Sequence, residues 1–227
     1  MQLKAIIPAR GGSKGVPGKN IKQINNIPLL GYPILAAQQS KLISDIYVST
    51  DDDTIAQVAI KYGAKIIERP KHLAEDDSLD IDVMRHAVDQ LEDEGDIVHL
   101  RATTPMIKGH ILDEAIKYYH SNPDCTSLRS GHEASETAYK SFKLVNRYWN
   151  GLFDHEYQGE YYNWPRQLLP KTYQANGYID IIKPKQFMNY NSLHGDKVLA
   201  YTTPFTHEVD TLNDFNILET VYGTHKK

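Results

Sequence analysis

The sequence predicts an α/β fold in which a mostly parallel sheet carries helices on both faces. Short apolar runs that are typical of buried strands alternate with longer segments whose apolar residues recur at helical spacing. The early strands end in glycine-containing or polar segments, and the carboxyl ends of parallel strands form the edge of the sheet where ligands bind. The length of 227 residues fits a single domain, 1–227, with 130–178 as an aromatic-rich excursion.

The predicted elements follow in chain order. The pattern predicts strands at 5–8, 45–50, 64–67, 96–100, 126–128, 172–182 and 197–203. It predicts helices after Pro28 as far as Lys41, and over 55–62, 78–95, 109–120 and 210–222. Ser78 is the predicted cap of the third helix, and Gly63 and Gly95 are helix stops.

Three aspartates at 51–53 follow the strand 45–50 directly. Acidic residues are favoured at a helix N-terminus, because they accept hydrogen bonds from free N–H groups and complement the helix dipole. A metal site is the alternative, but the position just before a helical stripe favours capping.

The loop after the first strand, within 5–20, contains four glycines, two lysines and Arg10. Glycines let backbone N–H groups approach a polyphosphate, and the cations supply charge that a neutral ligand would not require. The P-loop pattern fails, because Ser13 and Asn20 occupy positions that need glycine and a hydroxyl residue, and the dinucleotide fingerprint fails on glycine spacing. A phosphorylated ligand is the hypothesis, with an exposed basic turn as the alternative.

Composition excludes several classes of function. No segment approaches the roughly 18 apolar residues of a membrane span, and the N-terminus has too short an apolar run for a signal peptide. The single cysteine, Cys125, fits a reducing cytoplasm. A net charge of −4 with scattered basic residues argues against nucleic-acid binding, and the ten scattered histidines argue against a histidine metal site.

The segment 139–178 differs in composition from the rest of the chain. It carries both tryptophans and seven of the fifteen tyrosines without a convincing period. Aromatic residues are favoured in interface cores, so we interpret the segment as an interface, with an ordinary irregular flap as the alternative.

The loop sequence resembles the signature A-R-x-x-S-K-G-[LV]-P-x-K-N of the CMP–sialic acid synthetase (acylneuraminate cytidylyltransferase) family. Every specified position is filled, from Ala9 and Arg10 through Ser13 and Lys14 to Lys19 and Asn20. The resemblance covers nearly the whole chain and implies a Rossmann-like fold of the nucleotide-diphospho-sugar transferase type that binds CTP. The nucleotide-binding residues that it implies, together with the loop backbone, are Ala9, Arg10, Gly11, Ser13, Lys14, Lys19, Asn20, Arg69 and Ser78.

Later segments resemble further motifs of the family, with departures. Residues 101–106 occupy the place where the family commonly has Q-P-T-S-P-L, with Arg101 in place of the glutamine. Residues 164–167 resemble the family's Q-P-R-Q region, and residues 176–177 resemble its P-N-G motif. Gln174 stands where arginine is frequent, and an aromatic pair of the sialic acid members is absent at 191–193. These departures leave the identity of the sugar acid open. The implied substrate-binding residues are Arg101, Thr103, Lys140, Arg166, Gln167, Gln174 and Asn176.

The segment 208–211 resembles the family's D-I-D-T, whose two carboxylates hold magnesium. Glu208 replaces the first aspartate, and Asp210 keeps the second. Residues i and i+2 of a strand share a face, so both carboxylates could reach one Mg²⁺, an ion that prefers oxygen ligands. For Asp210 the alternative is a cap on the last helix.

The reaction that the resemblance implies joins CTP to a 2-keto-3-deoxy sugar acid, a sialic acid-like nonulosonate, and gives a CMP-sugar for a cell-surface polysaccharide and pyrophosphate. Arg10, Lys19 and Asp210 are the expected catalytic residues, and Arg166 is the candidate for the sugar carboxylate. The resemblance also implies a homodimer in which the partner's flap covers the sugar site. CMP-Kdo-type octulosonate activation, a uridylyl- or guanylyltransferase, and a non-catalytic nucleotide-binding subunit are the alternatives.

Overall fold

A computed structural model describes residues 2–91 and 95–223 of the chain. Its strands are β1 (Leu3–Pro8), β2 (Gln23–Ile24), β3 (Ile27–Pro28), β4 (Ile43–Thr50), β5 (Lys65–Glu68), β6 (Ile97–His99), β7 (Ser127–Glu133), β8 (Phe142–Val145), β9 (Tyr148–Gly151), β10 (Tyr173–Ile182) and β11 (Val198–Thr202). Its α-helices are α1 (Gly31–Gln39), α2 (Asp53–Lys61), α3 (Asp80–Leu91), α4 (Gly109–His120), α5 (Pro184–Tyr190) and α6 (Leu212–Gly223). The predicted end of α3 at Gly95 depends on residues 92–94, which lie outside the described residues.

Seven strands form one sheet in the order β11-β7-β10-β6-β1-β4-β5. β1 is parallel to both β4 and β6, β4 is parallel to β5, and β7 is parallel to β11. β10 alone among these strands runs antiparallel to its neighbours β6 and β7. The mostly parallel sheet is therefore confirmed, and its carboxyl edge collects the segments that follow β1, β4, β5, β6, β7 and β11.

Helices cover both faces of the sheet, as predicted. One face packs against α1, α2 and α4 through a large apolar core. The opposite face packs against α3 and α5 through a smaller core that includes Ile6, Met84, Ile97 and Phe187. At the carboxyl edge, α6 packs against the β2–β3 turn through Ile24, Leu29 and Phe215 in a third cluster that also holds Val209. That cluster fixes the 203–211 segment beside the glycine-containing loop.

The excursion from the sheet is narrower than the sequence pattern suggested. Residues 130–133 and 173–178 belong to β7 and β10 of the main sheet, so the segment that leaves it is 134–172. Within that segment β8 and β9 form an antiparallel hairpin, with Leu144 opposite Trp149. The predicted lack of regular structure was wrong at this hairpin, and the short helix α5 was not predicted.

No helix in the described ranges, 2–91 and 95–223, is long and apolar enough to cross a membrane. Within these ranges the longest helices have 12 residues, well below the roughly 20 that a span requires.

Candidate active site

A cleft of about 440 Å³ opens at the carboxyl edge of the sheet, where the loops after β1, β5 and β6 meet the 203–211 segment. This is the edge at which an open α/β sheet binds its ligands. Ten of the predicted site residues line the cleft together: Arg10, Ser13, Lys14, Lys19, Asn20, Arg69, Ser78, Arg101, Thr103 and Asp210.

Contacts with neighbouring loops hold the glycine-containing loop in place. The side-chain amide of Asn20, which is buried, donates to the carbonyl of Arg10 at 2.9 Å and closes the loop at its base. The N–H of Gly11 donates to Asp51 Oδ1 at 3.0 Å. A Cβ at Gly15 would lie 2.9 Å from the carbonyl oxygen of Asp210, so only glycine permits this close approach to the 203–211 segment. In this structure Gly11 and Asn20 therefore shape the loop.

The aspartates at 51–53 have separate structural roles. Asp52 Oδ1 accepts from the N–H of Ile55 at 2.9 Å, so the predicted N-cap of α2 is confirmed. Asp53 lies in the first turn of α2, and Asp51 holds Gly11.

Most cations of the cleft face a carboxylate across it. Arg10 Nη2 lies 2.7 Å from Asp76 Oδ1, and Lys14 pairs with the other oxygen of the same carboxylate. These two cations hold the pKa of Asp76 below its usual value, so the group is an anion at neutral pH. Because Asp76 carries its charge between the cations that the sequence assigns to a triphosphate, an entering anion must displace it or share its partners.

Lys19 and Arg101 form the other cross-cleft pairs. Lys19 Nζ donates to the carbonyl of Val209 at 3.0 Å and to Asp210 Oδ1 at 3.1 Å. Arg101 Nη2 lies 3.3 Å from Asp80 Oδ2 on the first turn of α3. The exposed faces of these pairs leave the charges accessible to a ligand that brings phosphates or a carboxylate.

Arg69 is a buried cation at the back of the cleft. Its Nη2 donates to the carbonyl of Ser49 at 2.6 Å and its Nε to the hydroxyl of Ser49 at 3.2 Å. Burial lowers the pKa of Arg69 to about 10, which leaves the guanidinium charged at neutral pH. Arg69 therefore joins β4 to the loop after β5 and adds positive potential to the cleft.

Glu208 and Asp210 flank the fully buried Val209, so both carboxylates reach the exposed side of the segment. Glu208 Oε1 accepts from the hydroxyl of Thr103 at 3.1 Å, and the N–H of Val209 donates to the carbonyl of Thr103 at 2.9 Å. Within the described residues, no three His, Cys, Asp or Glu side chains are grouped to hold a metal. Two neighbouring carboxylates fit Mg²⁺, which commonly takes one or two protein carboxylates and completes its shell with water and phosphate oxygens.

The remaining predicted sugar-site residues lie apart from this cleft. Asn176 is buried and bonds to Ser130 Oγ and Thr203 Oγ1, which joins β7, β10 and the segment after β11. A Cβ at Gly177, which has φ +60°, would lie 2.4 Å from Arg101 Cδ, so the 176–177 turn packs directly behind Arg101. Arg166 is exposed, with Nη2 3.3 Å from the carbonyl of Ala134. Lys140, Gln167 and Gln174 also lie outside the residues that line the cleft.

Four ionisable residues that sequence reasoning did not assign also line the cleft: Glu75, Asp76, Asp80 and His99. His99 ends β6 in a run that is otherwise apolar, Ile97-Val98-His99-Leu100, and this interruption is the signal that could have identified it. A polar residue inside a short buried strand requires a specific partner.

Comparison with known proteins agrees with this geometry. Residues 4–183 match the sequence model of the cytidylyltransferase family. The chain belongs to the cytidylyltransferase family. It is therefore a nucleotidyltransferase, and the likeness to the acylneuraminate enzymes that the loop motif suggested is confirmed.

Two relatives from Campylobacter match this cytidylyltransferase over nearly their full length. The CMP-N,N'-diacetyllegionaminic acid synthase of Campylobacter jejuni is 34% identical, over 96% of this chain and 94% of that protein. The post-translational flagellin modification protein B of Campylobacter coli is 32% identical, with the same coverage of both. The chain spans about half the length of the N-acylneuraminate cytidylyltransferase of Streptococcus agalactiae, to which it is 29% identical.

A solved structure of a CMP:2-keto-3-deoxy-manno-octonic acid synthetase complexed with CTP has the same fold, with a TM-score of 0.76. The alignment covers 99% of this chain and 100% of that one at 18% identity. The predicted fold class is therefore confirmed.

Proposed function

We propose that this cytidylyltransferase transfers CMP from CTP to a 2-keto-3-deoxy sugar acid of the nonulosonate class, with release of pyrophosphate. The observation that carries the proposal is the cleft itself, in which the cations of the family loop converge with Arg69, Arg101 and the carboxylate of Asp210. Two of the three relatives named above support the nonulosonate class by their names. They are the legionaminic acid synthase of Campylobacter jejuni and the N-acylneuraminate cytidylyltransferase of Streptococcus agalactiae.

The chemistry that these residues would perform is positioning and charge stabilisation. A hydroxyl of the sugar acid attacks the α-phosphorus in line with the departing pyrophosphate, and negative charge grows on the phosphate oxygens. Arg10 and Lys14 would hold the triphosphate once Asp76 has moved aside, and Lys19 would neutralise the developing charge. Arg101, next to the 176–177 turn, would meet the carboxylate of the sugar acid, which a guanidinium can bind with two hydrogen bonds.

We also propose Mg²⁺ as the cofactor, with Asp210 as its principal ligand. The bound ion would supply charge neutralisation for the phosphates. Glu208 is the weaker candidate, because it replaces the first aspartate of the family motif, whereas Asp210 keeps the second. Asp210 would have to exchange its contact with Lys19 for the ion, so the ammonium group would be released toward the phosphates.

The magnesium proposal predicts unequal effects for two matched substitutions. Asp210→Asn keeps the size of the side chain and removes its charge, and should lower turnover on the order of 100-fold, the usual cost of losing one charge-stabilising group. Glu208→Gln should cost clearly less. Chelator should abolish pyrophosphate release, and Mg²⁺ or Mn²⁺ should restore it. Full turnover by Asp210→Asn would mean that this carboxylate serves only as a structural partner of Lys19.

The cytidylyltransferase is further proposed to act as a homodimer in the cytoplasm. Arg166 and Gln167 lie on the exposed 134–172 excursion, outside the cleft of their own subunit. In a two-fold dimer, this excursion would bring Arg166 to the cleft of the partner subunit. Arg166 could then bind the sugar carboxylate, as the sequence predicts, although it lies outside the cleft of its own subunit. The single, buried Cys125 suits a reducing compartment.

The test is a pyrophosphate-release assay that crosses CTP, UTP, GTP and ATP with a panel of sugar acids. The panel contains N-acetylneuraminate, N,N'-diacetyllegionaminate and 2-keto-3-deoxy-manno-octonate. We expect turnover with CTP and a nonulosonate. Preference for the octonate would support the second candidate, octulosonate activation, which the fold of the CTP-bound synthetase favours. CTP binding without any turnover would indicate a nucleotide-binding subunit.

A further inference from the structure

A buried charged cluster lies directly behind the cleft, on the sheet face that packs against α3 and α5. His99 on β6 stands beside Ile6 of β1 and opposite Asp180 of β10 in the strand register. Both His99 and Asp180 are 3% exposed. A histidine and an aspartate buried on neighbouring strands are costly to keep without a function or a full set of hydrogen bonds.

The hydrogen bonding of this cluster is incomplete. His99 Nδ1 lies 4.0 Å from Asp180 Oδ2, which is longer than a hydrogen bond. His194 Nε2 lies 3.4 Å from the same oxygen, and Arg129 Nε lies 3.8 Å from Asp180 Oδ1. Neither His99 Nδ1 nor Asp180 Oδ1 has a hydrogen-bond partner among the described residues. Catalytic hydrogen bonds are often long before substrate binds and shorten in the complex.

The position of the His99 ring connects this cluster to the chemistry. His99 is among the residues that line the same cleft as Lys19 and Asp210, and its side chain is 2% exposed. With Nδ1 toward Asp180, Nε2 is on the other side of the ring. β6 is the strand next to β1 on the side of β10, so a sugar acid placed beside the triphosphate of the β1 loop would lie over the end of β6.

We propose that His99 accepts the proton of the attacking hydroxyl of the sugar acid through Nε2, and that Asp180 positions its ring. The assignment rests on the proposed function. In the step, the hydroxyl oxygen forms a bond to the α-phosphorus, and the bond from that phosphorus to the oxygen bridging to the β-phosphate breaks. Pyrophosphate leaves with the electron pair, and the hydroxyl proton passes to His99 Nε2, from which it is lost to solvent after product release.

The charges around His99 set its protonation state. Burial lowers the pKa of His99 below its usual value; the Asp180 and Asp80 carboxylates oppose this lowering, and Arg101 and His194 add to it. His99 is therefore neutral at pH 7, the form that can accept a proton. Asp180 stays ionised: burial alone would raise the pKa of Asp180, but His194 and Arg129 help to hold it below its usual value.

The experiment measures the pH dependence of kcat and KM for the intact protein with CTP and the sugar acid that it turns over fastest. His99→Gln keeps a hydrogen-bonding group near the position of Nε2 but cannot take up a proton. It should lower kcat by about 10²- to 10⁴-fold, the range for loss of a general base, with little change in KM for CTP and without the acid limb of the profile. Asp180→Asn should move the acid limb to lower pH, because it removes the anion that favours the imidazolium form.

His132→Gln is the matched control, since His132 is equally buried, lies on β7 against Phe205 and does not line the cleft. It should leave the profile unchanged. A His99→Gln protein with unaltered kcat and acid limb would overturn the assignment while the proposed function stands. Absence of turnover by the unaltered protein would overturn both.

A second measurement keeps the test decisive where His99→Gln does not fold. Histidine ¹⁵N resonances of the unaltered protein, assigned with His132→Gln and Asp180→Asn, would be followed on addition of the same sugar acid. We expect the Nε2 signal of His99 to shift as a hydrogen bond forms. No shift at saturating sugar acid would refute the proposal.

Discussion

Lys19 has two partners in the cleft, and both would change when substrate binds. Its ammonium group joins the glycine-containing loop to the carbonyl of Val209 and the carboxylate of Asp210. The Lys19 side chain is 16% exposed, but Asp210 is 70% exposed, so solvent screens the contact between the two charges. A triphosphate offers the same ammonium group a denser negative charge than a single carboxylate does.

Lys19→Ala should weaken CTP binding, because it removes a charge-assisted contact worth about 1.5–3 kcal/mol. That range corresponds to roughly a 10- to 100-fold increase in Kd. Titration calorimetry on the folded variant measures the change. Lys22→Ala is the control, since Lys22 is exposed, lies 5.6 Å above the Phe215 ring and is outside the cleft. Equal CTP affinity for Lys19→Ala and the unaltered protein would show that Lys19 only ties the loop to the 203–211 segment.

For individual residues, the sequence predicted the cations of the cleft better than the carboxylates that pair with them. Motif spacing identified Arg10, Lys14 and Lys19, because they lie in one loop. Their carboxylate partners come from segments about 60 and 190 residues away along the chain, so no local pattern connects them. His99 and Asp180 are paired by strand order, which a single sequence does not reveal.

Among the connecting segments, the loop between β5 and α3 is the one that we expect to change conformation when substrate binds. Asp76 lies in it and occupies Arg10 and Lys14 with its own charge. The loop is also held by Arg10, whose Nη1 donates to the carbonyl of Ala74 at 3.3 Å. We therefore expect this loop to rearrange when a triphosphate binds.

Asp76→Asn should bind CTP more tightly, because the competing charge is gone while the size of the side chain is kept. Exposed pairs of this kind contribute little, so the gain in affinity should be only a few-fold in Kd. Asp77→Asn, one residue further on and outside the cleft, should leave the affinity unchanged. Weaker binding by Asp76→Asn in calorimetry would instead mean that Asp76 orients the cations for the ligand.

Prediction of helices and strands succeeded where a periodic hydrophobic pattern extends over many residues, and it failed in short segments. The helical stripe over 109–120 gave the bounds of α4, because twelve residues sample three turns. The hairpin β8–β9 has strands of only four residues with side chains exposed almost throughout, so its sequence has no buried alternation to detect. α5, with seven residues, is likewise too short for a helical period.

At the scale of the whole molecule, the hairpin presents apolar side chains that its own subunit does not cover. Leu144 is 65% exposed and Trp149, directly opposite on the neighbouring strand, is 70% exposed. Phe142 shares their face and packs against Trp149 and Tyr162 with ring centroids 6.1 and 4.8 Å apart. A two-stranded hairpin is only marginally stable alone, and a contiguous exposed apolar patch usually marks an interface.

We therefore expect the cytidylyltransferase to form a two-fold dimer through this hairpin, the commonest closed arrangement of identical subunits. Light scattering should give about twice the chain mass of 25.8 kDa. Trp149→Glu combined with Leu144→Glu should lower both the mass and the turnover, because a charge on each strand opposes burial of the patch, while CTP binding to the distant loop is retained. Ile60→Glu is the matched control, since Ile60 is 60% exposed on α2, which packs against β4 and β5 at the opposite end of the sheet from β7 and β10. If the unaltered protein is a monomer with full activity at assay concentration, the dimer and the proposed role of Arg166 in a partner's cleft are both wrong.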